Sequence, residues 1–251
     1  MKRTPPLVIF SADPGVRNYG FCVLEIKPSP PTTKKVRWRI LSFGRLLTTV
    51  ADLKEPLSKQ FSLHKEALEL LKSQFNASFF IAERFQSRGM GGTTIESVNI
   101  MLGAGLSVYN SHPRKIITAS QWKNAAAKVE LWFDDVQREV HANKITNHAV
   151  DAVCISLYAA SLLLKRSTPF DFVTQEDLKR ELLIAHKRGL HVDVGIPPPA
   201  KPPKKKRKPK NGKTSLRSSG KHLPPLKRPV RSPRKLPDKL LHEQPKRKVQ
   251  P

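Results

Sequence analysis

Three strand-like runs precede the first helical one, and that order limits the folds open to this chain more than any single residue does. Leu7-Val8-Ile9-Phe10 is a compact run of branched and aromatic residues that stops at Ser11-Ala12-Asp13 and turns at once through Pro14-Gly15. Residues 20–26 form a second such run. Residues 36–47 form a third, beyond Pro28, Pro30 and Pro31, with Gly44 as the expected site of a bulge. Short connections predict that the three pair as an antiparallel meander. Over residues 53–75 the apolar period lengthens to that of a helix, with Leu53, Leu57, Phe61, Leu68, Leu71 and Phe75 near one face and a break at Pro56. The strand expected at Phe79-Phe80-Ile81-Ala82 follows this crossover and is therefore placed parallel to the first. A loop with Gly89, Gly91 and Gly92 leads to a helix over residues 94–106, a short strand over 116–118, and helices over 131–141 and 147–164. This order predicts an α/β domain with a mixed five-stranded sheet flanked by helices.

Composition divides the chain near Ile196. Residues 197–251 hold 13 prolines, no aromatic residue, and 19 basic against two acidic residues, a net +17. Such a segment buries too little apolar surface to fold alone and is expected to be disordered. Residues 1–196 carry 27 basic against 18 acidic residues, a net +9, so the folding part also favours a polyanionic partner. The expected organisation is a core domain over residues 1–168, a short helical extension over 169–196 containing a helix at 175–187, and the basic tail. Cys22 and Cys154 each lie in an apolar run, which predicts core thiols and excludes both a disulfide framework and a cysteine-rich zinc site. An intracellular setting follows. The longest mostly apolar stretch, residues 152–164, falls short of the ~20 residues a spanning helix needs, so the protein is expected to be soluble.

Four residues carry the chemistry. Asp13 and Glu83 each stand where an apolar strand-like run stops, and on parallel neighbouring strands their carboxylates would meet at one edge of the sheet. His148 and Asp151 lie three apart on a helix and so project from nearly the same face. Hard oxygen donors in such a group suit magnesium. Two such ions neutralise a phosphate and activate a water for phosphodiester hydrolysis. His148 suits either metal ligation or proton transfer, and the residues do not choose between them. Taken singly, Asp13 before Pro-Gly is more often a turn former, and Asp151 reads equally as a first-turn acid favoured by the helix dipole.

Residues 7–164 resemble the RuvC family of Holliday-junction resolvases within the ribonuclease H-like superfamily. Asp13-Pro14-Gly15, four residues, then Gly20-Phe21 is similar to the family's opening pattern. Glu83 resembles its second acid, and His148-x-x-Asp151-Ala152 its closing motif in the variant with His at the third position. Gln121-Trp122-Lys123 resembles the segment that carries a basic residue near the active site, which implies that Lys123 offsets charge at the scissile phosphate. Phe85 stands near the place of the family's wedging aromatic, although a core role suits it equally. Residues 124–128 depart from the family, which often has a glycine-containing turn there. The resemblance implies a structure-selective endodeoxyribonuclease using Asp13, Glu83, His148 and Asp151 with magnesium or manganese. Its implied substrate is branched DNA, four-way junctions first, and its implied assembly is a homodimer.

The loop around Arg88 is placed to bring backbone amides to a DNA phosphate. Lys204-Lys205-Lys206-Arg207-Lys208 in the tail is expected to hold DNA phosphates irrespective of sequence. The same run resembles a nuclear localisation signal, which matters only in a eukaryotic cell or host. Two alternatives stand beside the resolvase: a non-catalytic DNA-binding or adaptor protein on the same fold, and a nuclease for other branched DNA or for RNA–DNA hybrids. The loop lacks the Gly-Lys-Ser/Thr ending of a nucleotide-binding P-loop.

Overall fold

The computed structural model describes residues 5–15, 17–27, 35–49, 52–84 and 93–195. Strands β1 (Leu7–Asp13), β2 (Asn18–Lys27) and β3 (Arg37–Leu47) form the expected antiparallel meander. Helix α1 (Leu57–Gln74) crosses over to β4 (Phe79–Arg84), which pairs parallel with β1. Helix α2 (Thr93–Val108) then leads to β5 (Arg114–Thr118), parallel to β4. Three helices follow, α3 (Ala119–Ala127), α4 (Phe133–His141) and α5 (Asn147–Leu163), and then α6 (Gln175–Lys187) and β6 (His191–Gly195). The sheet order is β5-β4-β1-β2-β3-β6.

The sheet therefore has six strands, where five were expected. β6 adds parallel to the outer edge of β3, with Gly44 opposite Val192. Gly44 has φ +151°, and a Cβ there would lie 1.8 Å from the Val192 carbonyl oxygen, so its missing side chain is what admits the sixth strand. The register irregularity falls elsewhere. Val23 pairs with Ser42 and Leu24 with Ile40, which leaves Leu41 as the extra residue.

The break expected at Pro56 is present: a 3₁₀ turn at Asp52–Lys54 precedes it and α1 follows, because Pro56 has no N–H to continue the first segment and instead stands at the N-cap of the second. Phe133 packs at the start of α4, while Trp132 before it is 54% exposed. The apolar face of α1 is built mainly from Leu63, Ala67, Leu68 and Leu71, while Leu57, Phe61 and Phe75 are half-buried.

The sheet separates two apolar layers. Phe10, Phe21, Val23 and Phe80 meet α1 and α2 on one face, and Ile9, Cys22, Leu24 and Ile81 meet α5 on the other. Helix α5 is buried nearly all round, from Ala149 through Ser161, as expected of a helix lying across the centre of a sheet. Both cysteines are fully buried. Among the described residues no helix is long and apolar enough to cross a membrane.

Candidate active site

Asp13 is the last residue of β1 and Glu83 the last but one of β4. The two strands are parallel neighbours, so both acids stand at the carboxyl ends of the strands. Side chains alternate along a strand, so Asp13 follows Ile9 and Ser11, and Glu83 follows Ile81, onto the face covered by α5. The first turns of α5 bring His148 and Asp151 to the same place, with the positive end of the helix dipole toward the carboxylates.

Local packing fixes this approach. The Ser11 hydroxyl donates to the Ala152 carbonyl at 2.6 Å and accepts from Ser156 at 2.7 Å, tying β1 to α5 one residue beyond Asp151. Gly20 pairs with Asp13 across β1 and β2. A Cβ on Gly20 would lie 2.2 Å from the His148 carbonyl oxygen, and one on Gly15 would lie 3.0 Å from His148 Cε1. The two glycines of the opening pattern are thus the floor on which His148 packs.

Each acid has a defined partner. His148 Nδ1–H donates to Asp13 Oδ2 at 2.6 Å; a carboxylate only accepts, so Nδ1 carries the proton and Nε2 is the remaining nitrogen. The indole N–H of the fully buried Trp122 donates to Glu83 Oε2 at 2.7 Å. Gln137 Nε2 donates to Asp151 Oδ1 at 3.0 Å, and Lys123 Nζ stands 3.7 Å from Asp151 Oδ2. The same ammonium lies 4.9 Å from the centre of the Trp122 ring, a cation–π contact.

These groups share one electrostatic environment. Burial, and then the charge of Asp13, push the Glu83 carboxyl up to about 7 against the donation from Trp122. Burial and Asp13 likewise push Asp151 up to about 6, opposed by Lys123 and His148. The bond to Asp13 raises His148 above the ordinary imidazole value, against the opposing effect of burial.

Among the described residues no three His, Cys, Asp or Glu side chains form a ready-made cage for an ion. The donor set nevertheless fits a hard divalent cation. Three carboxylates stand together in a largely buried place, and the charge of Asp13 adds to burial in raising both Glu83 and Asp151. Magnesium also needs only a few protein oxygens, since it keeps several waters.

Asp13, Glu83, His148, Asp151 and Lys123 thus lie together at the carboxyl ends of β1 and β4. Phe85, Arg88 and the tail cluster Lys204, Lys205, Lys206, Arg207 and Lys208 lie outside the described residues. Trp122 and Gln137 were not anticipated as site residues. Trp122 lies 39 positions from the acid it holds, and Gln137 is one polar residue on an amphipathic helix. The only sequence signal was the place of Trp122 beside Lys123.

No protein-family model matches the chain. No curated protein matches it either. Among solved structures, RuvC from Thermus thermophilus matches with a TM-score of 0.50 at 19% identity, over 65% of this chain and 99% of that one. The same organism's RuvC in complex with a Holliday junction substrate gives 0.48 at 20% identity over the same shares. The yeast mitochondrial Holliday junction resolvase Ydc2 gives 0.38 at 14% identity, over 74% of this chain and 80% of that one. The first of these likenesses identifies the architecture: the chain has the ribonuclease H-like fold of RuvC.

Proposed function

We propose that the chain is a divalent-metal-dependent, structure-selective endodeoxyribonuclease that hydrolyses phosphodiester bonds in branched DNA, four-way junctions first. The observation that supports this is the meeting of Asp13, Glu83, Asp151 and His148 where two parallel strands end beneath the first turns of α5. Asp13, Glu83 and Asp151 would hold magnesium or manganese, with His148 Nε2 as a fourth donor. Such an ion supplies charge neutralisation at a phosphate and activation of a water.

The protein's own groups divide the remaining work. Trp122 fixes one oxygen of Glu83, and Gln137 one oxygen of Asp151, so that each carboxylate keeps a single orientation. Asp13 holds the His148 ring by Nδ1, which leaves Nε2 either to ligate or to take a proton from the attacking water. Lys123, half exposed beside Asp151, offers a positive charge to the incoming phosphate. A homodimer suits a two-fold symmetric junction. The basic residues 197–251 would hold flanking DNA without reading its sequence.

The test is cleavage of a synthetic four-way junction beside linear duplex, flap and RNA–DNA hybrid, by wild type and by Asp13→Asn. Paired symmetric nicks on the junction that require the divalent ion and vanish in Asp13→Asn are expected. Metal-independent binding with no cutting of any substrate would replace the nuclease with a non-catalytic DNA-binding protein.

A further inference from the structure

We propose that a cleft beside the catalytic carboxylates binds one unpaired nucleotide of the DNA strand next to the scissile phosphate. This rests on the nuclease reading and goes beyond it by assigning a substrate subsite. The cleft has a volume of about 480 Å³ and is lined by Arg84, Asn99, Leu102, Ile116, Thr118 and Gln121. That lies within the range of sites that take a small organic group.

Its position ties it to the chemistry. Arg84 follows Glu83 directly at the end of β4, and its register partner on β5 is Thr118. Gln121 precedes Trp122, whose indole holds Glu83. Because side chains alternate along β4, Glu83 projects to the α5 side and Arg84 to the α2 side, where Asn99 and Leu102 stand. A strand that crosses the tip of β4 with a phosphate at the carboxylates therefore carries its next nucleotide into the cleft.

Its chemistry selects a nucleotide. No carboxylate lines the cleft, and among the described residues the exposed Arg84 has neither ion pair nor hydrogen-bond partner, unlike Arg39 and Arg180, which face Glu25 and Asp177. An uncompensated guanidinium presents its donor fork to a phosphate. The larger cleft of about 810 Å³ beside α6 lacks this bias, because Lys35, Arg37 and Arg180 there are matched by Asp171, Asp177 and Glu181. Gln121 Oε1 accepts the Thr118 N–H at 2.8 Å, so its amide hydrogens remain for an acceptor on the ligand. Asn99 is exposed and unpaired among the described residues, and offers both a donor and an acceptor to a base edge. Leu102 and Ile116, the latter 41% exposed, supply an apolar surface for the base. A paired and stacked base has no free face to lay there, whereas one already unpaired at a branch point enters at little cost.

The test uses the full chain. Binding of a four-way junction is measured against salt for Asp13→Asn alone and combined with Arg84→Ala or Arg84→Gln, and cleavage is measured for Asn99→Ala on junctions with each of the four bases at the branch. Loss of one phosphate contact is expected to reduce the slope of log K against log salt by about 0.9 in both Arg84 variants. Asn99→Ala is expected to keep the wild-type slope and to level cleavage rates across the four bases by about tenfold. Unchanged slopes and unchanged base preference, in variants that melt with the wild type while wild type still cuts, overturn the subsite and leave the nuclease standing. Failure of wild type to cut any junction, with Asp13→Asn binding junction no better than duplex, removes the nuclease reading itself and the subsite with it.

Discussion

Adding one methyl group at Gly20 should disable the site from beneath. The Cβ of Gly20→Ala would stand 2.2 Å from the His148 carbonyl oxygen and 2.7 Å from its carbon, where side-chain β carbons keep at least 3.0 Å. Both contacts are backbone, so no rotamer relieves them, and the start of α5 must retreat from β2 by about 0.8 Å or more. Helix α5 carries His148 and Asp151, and β2 is paired at this point to Asp13, so the retreat falls on the separation between the site's two halves. A displacement of about 1 Å in a catalytic group costs on the order of 100-fold in rate. Overpacking of this kind costs about 1–3 kcal/mol. Ala restricts the unfolded chain and returns about 0.4–1 kcal/mol of that.

The expected result is a fall of about 100-fold in kcat for junction cleavage and a melting temperature lower by about 2–8 °C for a domain of this size. Gly103→Ala is the matching control. A Cβ there meets only Phe61 Cε2 at 3.8 Å, an ordinary contact, and the position is interior to α2, where Ala is favoured over Gly by about 0.5–1 kcal/mol. That variant should melt higher and cut at the wild-type rate. Wild-type kcat in Gly20→Ala would refute the reasoning, whether or not stability falls, because it would mean that α5 can lift without moving the acids apart.

Three other substitutions or conditions test separate parts of the structure. Trp122→Phe keeps a ring against Phe133 but removes the charge-assisted donor to Glu83. Cleavage should fall about 10- to 100-fold, and urea unfolding should show a loss of about 1.5–3 kcal/mol. His64 is fully buried, with Nδ1 donating to the Gln60 carbonyl at 2.8 Å and Nε2 3.1 Å from the Thr48 hydroxyl, and burial holds its pKa below the ordinary value. The folded state therefore resists a proton that the unfolded chain takes up, so this contribution to stability is complete above about pH 6.5 and is lost as pH falls below it. The urea midpoint should drop between pH 7.5 and 5.5 more steeply in wild type than in His64→Gln, and equal slopes would refute the assignment. Truncation after residue 196 removes 19 basic residues. It should weaken junction binding and flatten its salt dependence while cleavage persists at low salt, measured by filter binding and gel assay.

What the sequence made legible was whatever leaves a local trace. Asp13 and Glu83 were readable because a strand that stops in a carboxylate leaves an apolar run and a turn around it, and His148 and Asp151 because a spacing of three defines a helix face. Helix α3 was missed although its trace was present: Thr118 and Gln121 form a capping box, with the Thr118 N–H bonded to Gln121 Oε1 at 2.8 Å, and the Thr-x-x-Gln spacing is the signature of a helix start. Strand β6 left almost none. It is five residues long and largely exposed, and a side chain at Gly44 on another strand would clash with it. The partners of the acids are illegible for a stronger reason. Trp122 and Gln137 reach Glu83 and Asp151 only after β4, α3, α4 and α5 have packed, and nothing in a tryptophan or a glutamine marks it as a donor to a distant carboxylate. These neutral donors fix how the acids are oriented. A salt bridge from a lysine or arginine would hold Glu83 equally firmly but would offset the negative charge that the proposed cation would need, whereas a neutral indole N–H orients the oxygen without adding a positive charge.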